Sequence, residues 1–75
     1  MSKKIKVVVI GAGHLGRFHA RILSQHQAYD LVAVVDPSAP TRLSVAREVE
    51  TESCESVDDI PEIDSIDAAI IATPT

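Results

Sequence analysis

The chain has 75 residues, enough for one small domain. Hydrophobic residues make up 45% and charged residues 24% of it, too apolar a mixture for disorder, and a net charge of −4 with scattered basic residues argues against nucleic-acid binding. A single cysteine excludes an internal disulfide, and because no apolar run resembles a signal peptide or a membrane span, we expect a soluble, cytoplasmic protein without membrane contacts.

The first predicted strand, Ile5 to Ile10, leads directly into three glycines with G-x-G-x-x-G spacing. Gly11 lets the chain reverse, Gly13 leaves room for a pyrophosphate against the backbone, and Gly16 lets the next helix lie close to the strand. The N–H groups of the first helical turn lack internal partners and carry the positive end of the helix dipole. We therefore predict that this turn binds a dinucleotide through Gly11, Ala12, Gly13, His14, Leu15 and Gly16.

The helix predicted from Gly13 to about Gln27 has two distinct faces. A row of small residues should face the sheet, and it consists of Ala12, Gly16 and Ala20. A second, apolar face consists of Leu15, Phe18, His19, Ile22 and Leu23. On that face we expect His19 to be a packed histidine and not a proton donor, whereas His14 lies beside the expected phosphates and points outward or toward the cofactor.

The second predicted strand, Leu31 to Val35, ends at Asp36-Pro37. The Asp36 carboxylate can accept hydrogen bonds from the hydroxyls of an adenosine ribose, and it repels a 2′-phosphate, which favours NAD over NADP. Ser38 and Arg42 are close enough in sequence to soften this exclusion, so NADP stays an alternative. A second interpretation of Asp36 is an aspartate before proline that only shapes a turn.

The remaining segments complete an alternation of helices and strands. A helix with Ser38 as N-cap runs to about Glu50, and its apolar stripe is Leu43, Ala46 and Val49. Thr51 to Glu55 offers a short edge strand at best, Ser56 with Asp59 resembles a capping box for a single helical turn, and Ile66 to Thr73 is the last strand. Right-handed crossovers then predict an α/β fold, a Rossmann-type parallel sheet of order 3-2-1-4 with flanking helices.

Two further predictions concern the end of the last strand and the lone cysteine. Thr73 and Pro74 end a strand beside the first one, and ligands bind outside such strand ends at the topological switch point, so we expect both to touch the cofactor. Cys54 should pack as a small hydrophobe. No Cys or His residues have the spacing of metal ligands, so we predict no metal site.

The glycine turn, the Asp36-Pro37 strand end and the terminal Ala72-Thr73-Pro74-Thr75 run together resemble one known family. It is the glucose-fructose oxidoreductase, inositol dehydrogenase and MocA family, and the resemblance is carried by Lys4–Gly16, Arg17–Ala20, Leu31–Pro37 and Pro61–Thr75. It implies the first half of a Rossmann domain, with the ribose held by Asp36 and the cleft lined by the A-T-P-T strand end. The family oxidises hydroxyls of sugars, nucleotide sugars or polyols, or reduces the matching carbonyls.

Departures from the family pattern limit what the resemblance implies. The family's catalytic lysine, in a Glu-Lys-Pro signature, and its substrate-binding domain have no counterpart in these 75 residues, and the third strand is unusually polar. We therefore expect residues 1–75 to be the amino-terminal part of an NAD(P)-binding domain, inactive alone, with no catalytic residue. The complete protein is expected to be a homo-oligomeric oxidoreductase with a sugar-like substrate.

Two alternatives stay open from the sequence. One is a sensor module that binds a dinucleotide without catalysing a reaction. The other is an FAD-type site, because Ala20 extends the glycine pattern to G-x-G-x-x-G-x-x-x-A, although a glutamate at position 36 would suit FAD better.

Overall fold

Strands and helices alternate along the chain in the computed structural model, which describes residues 3–73. The strands are β1 Ile5–Ile10, β2 Tyr29–Val35, β3 Glu52–Cys54 and β4 Ala68–Ile71. The helices are α1 His14–Gln25 and α2 Ala39–Val49, followed by single 3-10 turns at Val57–Asp59 and Ile63–Ser65. All pairings are parallel, and the sheet order β3-β2-β1-β4 confirms the predicted Rossmann-type α/β fold.

Strand β1 lies inside the sheet and is buried on both faces. Val7, Val8 and Val9 are 1%, 2% and 0% exposed. Because side chains alternate across a strand, Val7 and Val9 pack under the helices while Val8 packs on the opposite face beside Cys54 and Ile60. A continuous β-branched run is the pattern that a doubly covered parallel strand requires.

Helices α1 and α2 cover the same face of the sheet. The predicted row of small residues does face the sheet, since Ala12 and Ala20 are 3% and 0% exposed and Gly16 is buried. The two helices are also joined at their surface, where the Glu48 carboxylate accepts hydrogen bonds from Arg21 and Arg17. These two guanidinium groups, Arg21 first, hold the pKa of Glu48 below its usual value.

The structure corrects several boundaries and contacts. β2 begins at Tyr29, before the predicted Leu31, and β4 is shorter than predicted, although hydrogen bonds from Asp67 to Lys6 and from Ala72 to Ile10 flank it. The turn at Val57–Asp59 forms, but the Ser56 hydroxyl donates to the Asp59 carboxylate and does not cap the backbone as predicted. The 3-10 turn at Ile63–Ser65 was not predicted.

The apolar stripes of the helices are only partly buried. In α1, Leu15, Phe18 and Ile22 are 56%, 57% and 46% exposed, because the small residues, and not these, lie against the sheet. In α2, Ala46 is buried and Val49 half-buried, but Leu43 is 42% exposed and Val45 is buried in its place. Within residues 3–73, no helix has the length and apolar character needed to cross a membrane.

The contact between α1 and β1 leads to a prediction about stability. A Cβ on Gly16 would lie 1.7 Å from the carbonyl oxygen of Gly11, a backbone atom that cannot rotate away. We expect Gly16→Ala to lower the free energy of unfolding of this domain by about 3 kcal/mol or more. Thermal and urea unfolding of the complete gene product measure it, with Gly13→Ala as the control.

Gly13→Ala is a matched control because a Cβ at Gly13 meets no atom within 4 Å. It should cost at most about 1 kcal/mol, the scale of a less favourable N-cap residue. Equal unfolding midpoints for the two variants would contradict the close packing of α1 on β1.

The free edge of β4 leads to a second prediction. Ile71 is 71% exposed, Ala68 and Ala69 are exposed, and no residue between 3 and 73 pairs with this outer edge. Such an edge is a template for pairing with another chain. We expect the isolated 75-residue chain to self-associate or fold poorly, and Ile71→Lys to reduce self-association. Sedimentation and thermal melting test this, and a monomer that melts cooperatively would refute it.

Candidate functional site

The carboxyl ends of β1, β2 and β4 surround an open cleft of about 440 Å³, a size typical of small-molecule sites. It lies where the chain crosses from one side of β1 to the other, the switch point at which such sheets bind ligands. The residues that line it are Gly11, Gly13, His14, Leu15, Asp36, Thr41, Ala72 and Thr73.

Most of the predicted site residues thus share one cleft. Ala12 and Gly16 are buried behind it, and they support the turn that forms its floor. Pro74 lies outside the described residues. Ala72 also lines the cleft and belongs to the strand end that the family resemblance placed there. Thr41 lines the cleft but was missed, and the signal for it was its position in the first turn of the helix that follows Asp36.

The glycine turn brings the start of α1 to the cleft. Gly11 has φ +100°, a conformation that favours glycine, and a Cβ there would lie 2.8 Å from the carbonyl group of Ala72. The first bond of the helix runs from the N–H of Arg17 to the carbonyl of Gly13, at 2.8 Å. The preceding N–H groups have no partner within the helix, no side chain caps them, and the first turn has no acidic residue. This end of α1 can therefore accept an anion.

Gly13 leaves the space in front of these N–H groups open. A Cβ built on it meets nothing within 4 Å, which differs from the crowded surroundings of Gly11 and Gly16. The absence of a side chain at Gly13 therefore serves neither packing nor a strained turn. Its effect is to leave room for a ligand group against the backbone.

Asp36 links the glycine turn to the start of α2. Its Oδ2 accepts a hydrogen bond from the N–H of Ala12 at 2.9 Å, and its Oδ1 accepts one from the N–H of Ser38 at 2.8 Å. Its own N–H donates to the carbonyl of Cys54 at 3.0 Å. Asp36 therefore does shape the turn before α2, as the second interpretation of this residue predicts. Each carboxylate oxygen has a second lone pair, so the carboxylate can also accept bonds from a ligand.

A smaller cleft of about 210 Å³ adjoins the first one between α1 and α2. The two share Gly13, His14 and Thr41, and Arg17 adds a cationic group to the smaller cleft. The hydroxyls of Ser38 and Thr41 are hydrogen-bonded to each other at 3.0 Å, which orients Thr41 at this junction.

The histidines and the cysteine have different positions. His14 is exposed and lines both clefts, whereas His19 is half-buried and packs edge-on against Phe18 with ring centroids 5.8 Å apart. Cys54 is 6% exposed in the core beside Ile60, and burial raises the pKa of its thiol. Among residues 3–73, no group of three or more His, Cys, Asp or Glu side chains could hold a metal.

Comparison with known proteins identifies the family. Residues 5–75 match the model of the Gfo/Idh/MocA oxidoreductase family, which describes its NAD-binding Rossmann fold. The chain belongs to this family. The resemblance inferred from the glycine turn, Asp36 and the last strand is thereby confirmed, as is the expectation of an NAD-binding oxidoreductase family.

Similar proteins include enzymes that act on a nucleotide sugar and on an inositol. UDP-N-acetylglucosamine 3-dehydrogenase of Acidithiobacillus ferrooxidans is 41% identical over 70 residues, covering 89% of this chain and 20% of that protein. The NAD(+)-dependent scyllo-inositol 2-dehydrogenase of Bacillus subtilis is 36% identical over 77 residues, covering 100% of this chain and 22% of that protein. The chain spans 20% to 22% of the length of the curated relatives it matches.

A solved structure shows the same fold with its cofactor. GenD2 from gentamicin A biosynthesis, crystallised in complex with NAD, superposes with a TM-score of 0.90 at 27% identity, covering 100% of this chain and 22% of that one. The similarity extends over both helices and the whole sheet of the chain.

Proposed function

We propose that this chain is the dinucleotide-binding part of an NAD-dependent dehydrogenase that acts on a hydroxyl or carbonyl group of a sugar, nucleotide sugar or polyol. The observation that carries the proposal is the arrangement of one cleft between the uncapped start of α1 and the Asp36 carboxylate. The family match and the substrates named for its relatives support the chemical class.

The residues present fit NAD, and each has a distinct task. The N–H groups at the start of α1, with the open space at Gly13, would hold the pyrophosphate. The free lone pairs of the Asp36 carboxylate would accept bonds from the hydroxyls of the adenosine ribose. Residues that would complete the site are His14, Leu15, Thr41, Ala72, Thr73 and Pro74.

The bound nicotinamide supplies hydride transfer to or from carbon. The described residues contribute binding and orientation, and none of them is assigned a catalytic role. Gly11 and Gly16 act by positioning, since their close packing holds the turn that carries the unpartnered N–H groups. Ala12 positions Asp36 through its N–H.

The arrangement favours NAD over NADP. A 2′-phosphate at the ribose would meet the Asp36 carboxylate, a like charge, whereas the two hydroxyls of NAD can donate to it. Both oxygens of the Asp36 carboxylate accept hydrogen bonds from backbone N–H groups, so the carboxylate cannot turn away without breaking these two bonds.

We also propose that residues 1–75 are the amino-terminal part of the dinucleotide-binding domain, with catalytic and substrate-binding residues on other parts of a longer protein. The coverage of 20% to 22% of the curated relatives supports this division. The cytoplasmic location and the homo-oligomeric state stay predictions from the sequence.

The ribose assignment leads to a prediction about cofactor affinity. In the complete gene product, Asp36→Ala should weaken NAD binding by about 1.5–3 kcal/mol, the value of hydrogen bonds to a charged acceptor, and narrow the gap to NADP. Titration with both dinucleotides measures this. Asp30→Ala, which removes an exposed carboxylate from the far end of β2, is the control. Unchanged NAD affinity in Asp36→Ala would leave Asp36 a turn residue only.

The pyrophosphate assignment leads to another prediction. Gly13→Val should weaken NAD binding by about a hundredfold or more, because its side chain occupies the space that the phosphates need. The melting temperature should change little, because that space contains no protein atom within 4 Å of the Cβ. Ala28→Val places the same side chain at an exposed position away from the cleft and serves as control. Normal NAD affinity in Gly13→Val would show that the phosphates bind elsewhere.

A further inference from the structure

Arg42, in the first turns of α2, is bonded to the turn that ends β2. Its Nη1 donates to the carbonyl oxygens of Asp36 and Pro37, both at 3.2 Å, and its backbone N–H donates to the carbonyl of Ser38 at 3.0 Å. Arg42 is half-buried, which limits the orientations open to its side chain. The guanidinium thus holds consecutive carbonyl groups of the segment that presents the Asp36 carboxylate.

The direction of that carboxylate depends on two separate segments. Ala12 belongs to the turn after β1, and Ser38 belongs to the turn after β2, yet their N–H groups bind the two oxygens of the same carboxylate. Both bonds form together only while the two turns keep their relative position. Arg42 ties the second of these turns to α2, and α2 is packed against the sheet through Val45 and Ala46.

The charge of Arg42 is not used in an ion pair within the described residues. The ion pairs between residues 3 and 73 are Lys6–Glu62, Arg17–Glu48 and Arg21–Glu48. The guanidinium therefore contacts main-chain carbonyls and leaves the Asp36 carboxylate free to accept bonds from ribose hydroxyls. Arg42 also does not line the cleft, so its geometry is that of a support and not of a phosphate ligand.

We propose that Arg42 is a positioning residue for Asp36 and, through it, a determinant of the preference for NAD over NADP. The inference rests on the proposed function, because it assumes that Asp36 binds the ribose. Without the guanidinium, the turn after β2 gains freedom, and the carboxylate is no longer held where it meets the hydroxyls of NAD and repels the 2′-phosphate of NADP.

Titration of the complete gene product with NAD and with NADP tests the proposal. Arg42→Ala should raise the dissociation constant for NAD by about fivefold to tenfold, while that for NADP changes by less than about twofold. Arg47→Ala is the control, because Arg47 is an exposed arginine in the last turn of the same helix. It removes the same charge and should leave both dissociation constants unchanged.

A double-mutant comparison shows whether Arg42 acts through Asp36. In an Asp36→Ala background, adding Arg42→Ala should leave the ratio of the two dissociation constants unchanged, because there is no carboxylate left to position. Arg42→Lys keeps the charge without the planar fork and should give an intermediate ratio. It also carries the test if Arg42→Ala does not fold.

Failures of the inference and of the proposed function give different results. A wild-type protein that binds neither dinucleotide would overturn the proposed function. A wild type that binds NAD while Arg42→Ala and Arg42→Lys keep its preference would overturn only the role of Arg42. So would a larger loss for NADP than for NAD in Arg42→Ala, since that result indicates direct contact with the 2′-phosphate.

Discussion

The close packing of Gly16 against Gly11 is the constraint on which the cleft depends. A Cβ at Gly16 would lie 1.7 Å from the Gly11 carbonyl oxygen, so the helix can reach this position only without a side chain there. At that distance the start of α1 lies over the end of β1, and its unpartnered N–H groups reach the switch point of the sheet. The close packing and the proposed binding of an anion thus depend on one contact, and both require the same short sequence of glycines.

The geometry of Asp36 is compatible both with shaping a turn and with the proposed binding of a ribose. The carboxylate fastens the turn after β2 to the turn after β1 through the N–H groups of Ser38 and Ala12. The same bonds hold the carboxylate at the edge of the cleft, and each of its oxygens keeps a lone pair that can accept a further hydrogen bond. A residue that stabilises the loops in this way presents its charge without further ordering when a ligand arrives, which lowers the entropic cost of binding.

The sequence predicted those features that depend on a few residues close together along the chain. The buried β1, the glycine turn, the row of small residues and the strand order follow from local patterns and from the handedness of crossovers. Other features depend on how distant segments pack, and the sequence did not predict them. They are the length of β4, the burial of Val45 in place of Leu43 and the position of Thr41 in the lining of the cleft. The hydroxyl of Ser56 donates to the Asp59 carboxylate and does not cap the backbone. The sequence alone does not show which of these two nearby partners the hydroxyl binds.

A crystal structure of the complete gene product with NADH would show whether the cleft between the start of α1 and Asp36 holds the dinucleotide, as we propose. We expect pyrophosphate oxygens within hydrogen-bond distance of the N–H groups of Gly13 and His14. We also expect both hydroxyls of the adenosine ribose to donate hydrogen bonds to the Asp36 carboxylate. A dinucleotide bound away from these groups, or with its ribose turned from Asp36, would show that the proposed site is wrong.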